Sequence, residues 1–349
     1  KRNKDGKIVS VFILEKKRAD QSAFDLIKYE ISQLPNLKHP QVLTLLRKLE
    51  ETKLKFLFVT EPVVDNLATV QLLKLDDLTK QKGLLQISKG LQFLHNYCSI
   101  VHQNLQPLLI YINDQGDWKL AGFRFLSHLN EISALERDGF YVMNNSLASP
   151  LAKLNMNFTA PELILDTSMK LGLHNDIFSL GCLIHHIYNN GQYLIECYDP
   201  DSVSDYSQAF KRFENKFYSH THNPSELKYL LKDVPDTLYP IYPQLLARYP
   251  HDRMNIDQFI ECDFFNGSII KAMWFVDEFH PKSTLEKLIF MRGILQKDEN
   301  DEYTLTKFPV SFRTLKFLPL MVDLIANELK VISPTHPITE EIDELITGA

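Results

Sequence analysis

Two hydrophobic periods follow one another along this chain, and their order limits the possible folds more than any other feature. Near the start, apolar residues fall in short runs set off by turn signals. Asp5-Gly6 ahead of Lys7-Ile-Val-Ser-Val-Phe-Ile-Leu14 reads as a tight turn entering a strand. Strand-like runs return at 42–49 and 54–60, the second ended by Glu61-Pro62, with a helix over 23–34 stopped by Pro35. The first strand lacks most of a hairpin partner, so the sequence is expected to start inside a domain. Over 83–97 the period changes: Leu84, Ile87, Leu91 and Leu94 share one helix face. A hairpin signal follows at Asn113-Asp-Gln-Gly116. No period holds over 127–157, a loop of a length usually functional or mobile. Ile177, Leu180, Ile184 and Ile187 then mark a helix over 176–188. Strands before helices predict an α+β unit with a small sheet lobe and a helical lobe.

Composition removes several function classes. Of 349 residues, 44% are hydrophobic and 23% charged, an ordinary balance for a packed core. The formal net charge of −6 argues against a basic nucleic-acid-binding body. The four cysteines, Cys98, Cys182, Cys197 and Cys262, are too scattered for a disulfide scaffold or a Cys-rich zinc module. No apolar run reaches the ~18 residues of a membrane helix, and the first residues lack a signal-peptide core. A cytosolic protein is expected, with any membrane association peripheral.

After about residue 268 the texture changes again. Pro281 and Pro309 bound two periodic segments, around 285–295 and 315–329. In the second, Leu315, Leu318, Val322, Ile325 and Leu329 follow a 3-4-3-4 spacing, and with Leu285 and Leu288 they are expected to form the covered apolar faces. Two consecutive helices either open a helical solenoid or extend the preceding lobe.

A series of short motifs gives the chain a family resemblance. Val9-Ser-Val-Phe12 stands where protein kinases have V-A-I-K. His102-Gln-Asn-Leu-Gln-Pro-Leu-Leu109 stands for H-R-D-L-K-P-E-N, and Lys119-Leu-Ala-Gly-Phe-Arg124 for the D-F-G segment. Thr159-Ala-Pro-Glu162 retains A-P-E, while Asp176-Ile-Phe-Ser-Leu-Gly181 and Tyr249-Pro-His-Asp-Arg253 resemble the two later landmarks. Six in order make a specific signal where one would be weak, and the chain resembles a protein kinase.

Phosphoryl transfer needs a lysine on the phosphates, a carboxylate and an asparagine on metal ions, and an aspartate to accept the hydroxyl proton. The positions that match these hold Phe12, Gly122, Leu109 and Asn104. The phenyl ring at Phe12 is expected to project into the phosphate region, and an amide at Asn104 cannot take up a proton near neutral pH. Gln106 replaces the basic residue two positions after the base. Glu30 matches the helix glutamate that pairs with the lysine; with that partner gone, it is expected to be a partly exposed carboxylate. No GxG occurs among the 12 glycines. The kinase resemblance further implies a buried ion pair between Glu162 and Arg253, and an Asp176 carboxylate that caps amides of the loop carrying His102. Retained architecture with deleted chemistry implies a pseudokinase: no catalytic residues, no cofactor, no metal.

Among pseudokinases the chain resembles the Scy-like family, most of all its clathrin-associated branch. The matching segments are Val9-Ser-Val-Phe12, Thr60-Glu-Pro-Val63, Gly83-Leu-Leu-Gln-Ile-Ser-Lys-Gly-Leu-Gln-Phe-Leu-His95 and Trp118-Lys-Leu-Ala-Gly-Phe123. Gln103 departs from the glycine that relatives often carry. The resemblance implies a bilobal kinase-like fold, with an incomplete small lobe over 1–62 and a helical large lobe over 63–267. It also implies that 268–349 opens a HEAT-type solenoid. It further implies a catalytically inactive scaffold between Golgi and endosomes that links clathrin coats, adaptors or Arf/Rab-type small GTPases and reaches membranes through partners. Two alternatives remain open: a nucleotide-binding switch using the backbone of Glu61 and Val63, or an adaptor in another cytosolic transport process such as tRNA export.

Other clusters read as structural. His185-His186, and His220 with His222, lack acidic or cysteine partners at metal-ligand spacing. Phe264-Phe265 with Trp274-Phe275 reads as core packing at the junction near residue 268, and the basic run ending at Arg18 as a solvated strand end. Tyr141 and Ser146 are open to phosphorylation, though nothing demands it.

Overall fold

The computed structural model describes residues 6–17, 23–131, 152–166, 171–199, 202–218 and 224–331. Strand β1 (Ser10–Glu15) leads to helix α1 (Phe24–Gln33), then β2 (Leu45–Glu51), β3 (Lys55–Thr60) and β4 (Val63–Asn66). Helix α2 (Asp77–Gln92) precedes β5 (Ile100–Val101), β6 (Ile110–Asn113), β7 (Trp118–Leu120) and β8 (Ser127–His128). Helices follow: α3 (Glu162–Leu165), α4 (His174–Tyr188), α5 (Val203–Phe217), α6 (Pro224–Leu231), α7 (Tyr242–Leu245) and α8 (Ile256–Ile260). The last are α9 (Ser268–Asp277), α10 (Thr284–Ile294), α11 (Val310–Phe312) and α12 (Leu318–Val331). Arg18, Tyr141, Ser146, His220 and His222, and most of the 127–157 loop, lie outside the described residues.

The chain divides into two compact units. The first spans Lys1–Lys74, Leu84–Asn113 and Asp117–Cys262. Its opening sheet runs β1-β3-β2, all antiparallel, with Phe12 opposite Phe58. Phe56 of β3 is buried against Ala23 and Ile27, which anchors α1 on this sheet. A second sheet runs β4-β6-β7, and β5 pairs with β8.

Helix α4 is buried along nearly its whole length, as its continuous apolar run from Ile177 to Ile187 requires. Neighbours approach its backbone closely at Gly181. A Cβ there would stand 2.8 Å from Leu246 Cδ2, and the Tyr242 hydroxyl donates to the Gly181 carbonyl at 2.8 Å. Local signals set the helix starts. Ser202 caps α5, and Asn255 with Gln258 forms a reciprocal capping box at α8.

The second unit comprises Leu75–Gly83, Asp114–Gly116 and Asp263–Ala349, so α2 contributes its first turns to this unit and the rest to the first. Ser283 and Glu286 box the start of α10. The core joins Met273, Val276, Leu288, Met291, Phe312, Phe317, Met321 and Leu324. Asp277 bridges two lysines, Lys82 of α2 at 2.9 Å and Lys316 at 3.1 Å, with both the Lys82 and Asp277 side chains buried. Phe264 and Phe265 are buried edge to face.

One expectation fails in this unit. Leu285, Leu315, Leu318 and Val322 are exposed (Leu318 by 58%), and Ile325 is only half-buried; of the expected stripe, Leu288 is buried. Phe312, Phe317, Met321 and Leu324 take the inner face instead. A π turn over Arg313–Phe317 inserts a five-residue step between Phe312 and Phe317, which a 3-4 template passes over. The bulkier side chains take the core. Among the described residues no helix is long and apolar enough to cross a membrane.

Candidate functional site

The positions matched to catalytic groups come together within the first unit, each held by neighbours that leave little room for other chemistry. Phe12 lies in the middle of β1. Its ring stacks on Phe58 across the sheet at 4.9 Å and 6°, and meets the edge of Tyr111 of β6 at 5.4 Å. Rather than standing out toward a phosphate, the half-buried ring is packed on two others. Burial and the nearby Glu30 carboxylate raise the Tyr111 hydroxyl above its usual pKa.

Asn104 is buried and tied on both sides of its amide. Its Nδ2 donates to the Gly122 carbonyl at 3.2 Å, and its Oδ1 accepts from Gln106 Nε2 at 2.7 Å. Gln106 in turn accepts from Asn155 Nδ2 at 3.2 Å. A neutral amide chain thus stands where a proton acceptor and its basic neighbour would be. It borders a cavity of about 770 Å³.

Leu109 and Gly122 pack on each other. Gly122 adopts φ +82°, and a Cβ there would fall within 2.9 Å of Leu109 Cβ and Cγ and closer still to Cδ1. A metal-binding carboxylate cannot stand at 122 unless Leu109 moves. An aliphatic side chain, a glycine and two amides bring no carboxylate to hold a divalent cation. Among the described residues no three potential metal ligands cluster, and His185 and His186 are buried, His186 stacked on Tyr193 at 5.5 Å. Burial draws both imidazoles down to about 4.

Glu30 departs from expectation. It is buried rather than exposed, and it has a new partner: Arg124 Nε at 3.0 Å and Nη2 at 2.9 Å, both on Oε2. The cation that holds this helix carboxylate now comes from two residues after Gly122 instead of from β1. The signal was present in Lys119-Leu-Ala-Gly-Phe-Arg124, as a charge in an otherwise apolar run.

The segment between β3 and β4 is tied to β1. Ser10 Oγ accepts from Val63 N–H at 2.9 Å and lies 3.3 Å from the Val63 carbonyl. The backbone groups that would dock an adenine edge at Val63 are therefore bonded internally.

The structural residues meet closely. Arg253 clasps Glu162 with Nη1–Oε1 at 2.6 Å and Nη2–Oε2 at 2.7 Å, both side chains fully buried. It also donates to the carbonyls of His174 at 3.0 Å and Ala247 at 2.8 Å, while Asn175 donates to Glu162. Asp176 accepts from His102 N and Gln103 N, each at 2.8 Å, and contacts His95 Nε2 at 2.9 Å. Desolvation lowers the pKa of His102. Gln103 sits at φ +61°, a left-handed conformation that suits glycine. Its Nε2 offsets the strain by donating to the Phe125 carbonyl at 2.8 Å and to Ser127 Oγ at 2.7 Å.

Residues 1–265 match the model of the protein kinase domain family. The "Protein kinase-like protein SCY1" of Saccharomyces cerevisiae is 31% identical over 88% of this chain and 38% of its own length. The "Probable inactive serine/threonine-protein kinase scy1" of Dictyostelium discoideum is 25% identical over 95% of this chain and 35% of its own. The chain therefore spans under two-fifths of the length of these relatives. A solved yeast RNA polymerase II CTD kinase complex contains a chain with the same fold, at a TM-score of 0.57 and 17% identity, covering 76% of this chain and 87% of that one.

Proposed function

The chain belongs to the protein kinase domain family, among its SCY1-like pseudokinases, and from that premise we propose that it is a catalytically silent scaffold whose cleft carries neither phosphate nor metal. The observation that carries the reading is the contact of Leu109 with Gly122, which fills the place of both metal ligands with hydrocarbon and backbone. Metal-bound phosphates would also need a counter-charge, and Phe12 supplies an aromatic ring already packed on Phe58 and Tyr111. Mg·ATP does not fit these residues. Ser10 removes the remaining incentive for adenine by taking the Val63 N–H, which speaks against the nucleotide-switch alternative.

The scaffold works in traffic between Golgi and endosomes, as a cytoplasmic protein held at membranes through clathrin coats, adaptors or Arf/Rab-type small GTPases. The motif resemblance to the clathrin-associated branch supports this assignment. The helices after residue 268 are then the opening of a HEAT-type solenoid, which the pairing of α9–α12 around one core is compatible with.

Four experiments test the reading. In a thermal shift with millimolar ATP and Mg²⁺ the melting temperature is expected to stay within a degree; a ligand at 100 times its Kd would add about 2.7 kcal/mol. Ser10→Ala frees the Val63 donor and is expected to strengthen adenosine binding relative to wild type. Transfer of labelled phosphate to a generic substrate, lost on a cleft mutation, would overturn silence. Separately, failure of the protein to recover clathrin, adaptors or GTPases from lysate would overturn the trafficking assignment.

A further inference from the structure

A second cavity, of about 490 Å³, opens among α5, α6 and the loop after α4. Its floor is apolar, with Ala209 and Phe213 of α5 buried and Leu230 of α6 beside them. Its rim is basic. Arg212 donates to the backbone carbonyl of Glu196 at 3.4 Å, and Lys232 donates to the side-chain oxygen of Gln192 at 2.5 Å. Both of these partners are neutral, and among the described residues neither cation meets a carboxylate at ion-pair distance, while the more distant Asp205 carboxylate of α5 feels the Arg212 charge.

One acid, Glu196, lines the cavity beside three cations, Arg212, Lys216 and Lys232. The Glu196 carboxylate accepts from the Tyr198 hydroxyl at 3.1 Å, and Glu214 of α5 faces Arg248 at 3.7 Å. Tyr229 stands 85% exposed at the same rim. This positive mouth sits on a chain of net charge −6. An acidic ligand is repelled by the molecule as a whole and drawn to this place, an arrangement that gives selectivity and steering.

A phosphate site gathers backbone N–H groups and cations on one point. Here the cations stand apart, one on α5 and one after α6, around a hydrocarbon floor. We propose that this surface docks an acidic segment of a partner protein, with an apolar side chain on Phe213 and Ala209 and flanking carboxylates over Arg212 and Lys232. The inference goes beyond the scaffold reading and needs nothing from the silent cleft.

The test is fluorescence polarisation with a labelled twelve-residue peptide alternating Leu or Phe with Asp or Glu. Its counterpart carries Asn and Gln in place of the acids. The acidic peptide is expected to bind the wild-type chain at least tenfold more tightly than the amide peptide. Arg212→Glu/Lys232→Glu is expected to weaken it at least tenfold with the melting temperature unchanged. A control pair of equal charge change on exposed sites, Lys48→Glu/Lys53→Glu, is expected to leave binding within twofold. Equal affinity for the two peptides, equal loss in the control pair, or no binding would overturn the proposal. So would binding only to phosphatidylserine vesicles, which would make the surface a membrane contact. Tyr229→Ala, at an exposed site, gives a second variant with an expected loss of severalfold.

Discussion

Arg253→Ala removes a guanidinium that makes two short contacts to Glu162 and at least two to backbone carbonyls, in a place where neither charge sees solvent. The substitution strands the Glu162 carboxylate with Asn175 as its remaining described partner. Breaking a buried pair from one side costs about 3–5 kcal/mol. At ~2–4 °C per kcal/mol for a domain of this size, the melting temperature should fall by roughly 6–20 °C. Removing both charges is a different perturbation: Arg253→Met with Glu162→Leu leaves no orphaned ion and should recover at least about 2 kcal/mol relative to Arg253→Ala. Thermal melts followed by tryptophan fluorescence in a Trp274→Phe background report on this unit, since Trp118 is buried within it. Two results would refute the reasoning. One is a melting temperature within a degree of wild type for Arg253→Ala. The other is a double variant as unstable as the sum of the two singles, which would mean that packing and not charge carries the contact.

Arg124→Ala should release Glu30 and raise amide exchange across α1 several-fold, with a cost of about 1–3 kcal/mol; unchanged exchange over 24–33 would show that the pair does not hold the helix. His185 and His186 titrate near 4 when folded and ~6.5 when unfolded, so the unfolded chain takes up protons first. Their stabilising effect is complete above ~6.5 and drains away as pH falls toward 4, with a loss of about 1.3 kcal/mol each between pH 7.5 and 5.5. Melts at those two pH values check it, and a flat profile contradicts it. Asp277→Ala leaves Lys82 buried without its carboxylate and should cost ~3 kcal/mol, seen as faster limited proteolysis after residue 263; wild-type cleavage rates would count against a structural triad.

Local periodicity and motif order made much of the fold legible. The β1 and β3 strands, the helices α1, α2, α4 and α10, and the family itself were all within reach of the sequence. Contacts between distant positions were not. Glu30 and Arg124 lie 94 residues apart, and Ser10 and Val63 lie 53 apart. Each replaces a pairing that the kinase template assigns to someone else, so the template pointed to a loss where the structure shows an exchange. The register after Arg313 was hidden for another reason. Helical periodicity assumes 3.6 residues per turn, and the π turn over Arg313–Phe317 breaks that assumption at the point where the two candidate stripes compete. Gln103 shows the same limit at a single residue, since no pattern reveals that its amide compensates a left-handed backbone.

The Ser10 hydroxyl has a pharmacological consequence. Compounds designed to mimic adenine gain much of their affinity from one unpaired backbone donor in the hinge, and here that donor, the Val63 N–H, is bonded to Ser10 within the fold. Such a compound would have to break an existing hydrogen bond before forming its own, which leaves almost no net gain. Broad-spectrum inhibitor resins should therefore pass this protein by, and a selective small-molecule probe for it will have to be sought outside the adenine pocket.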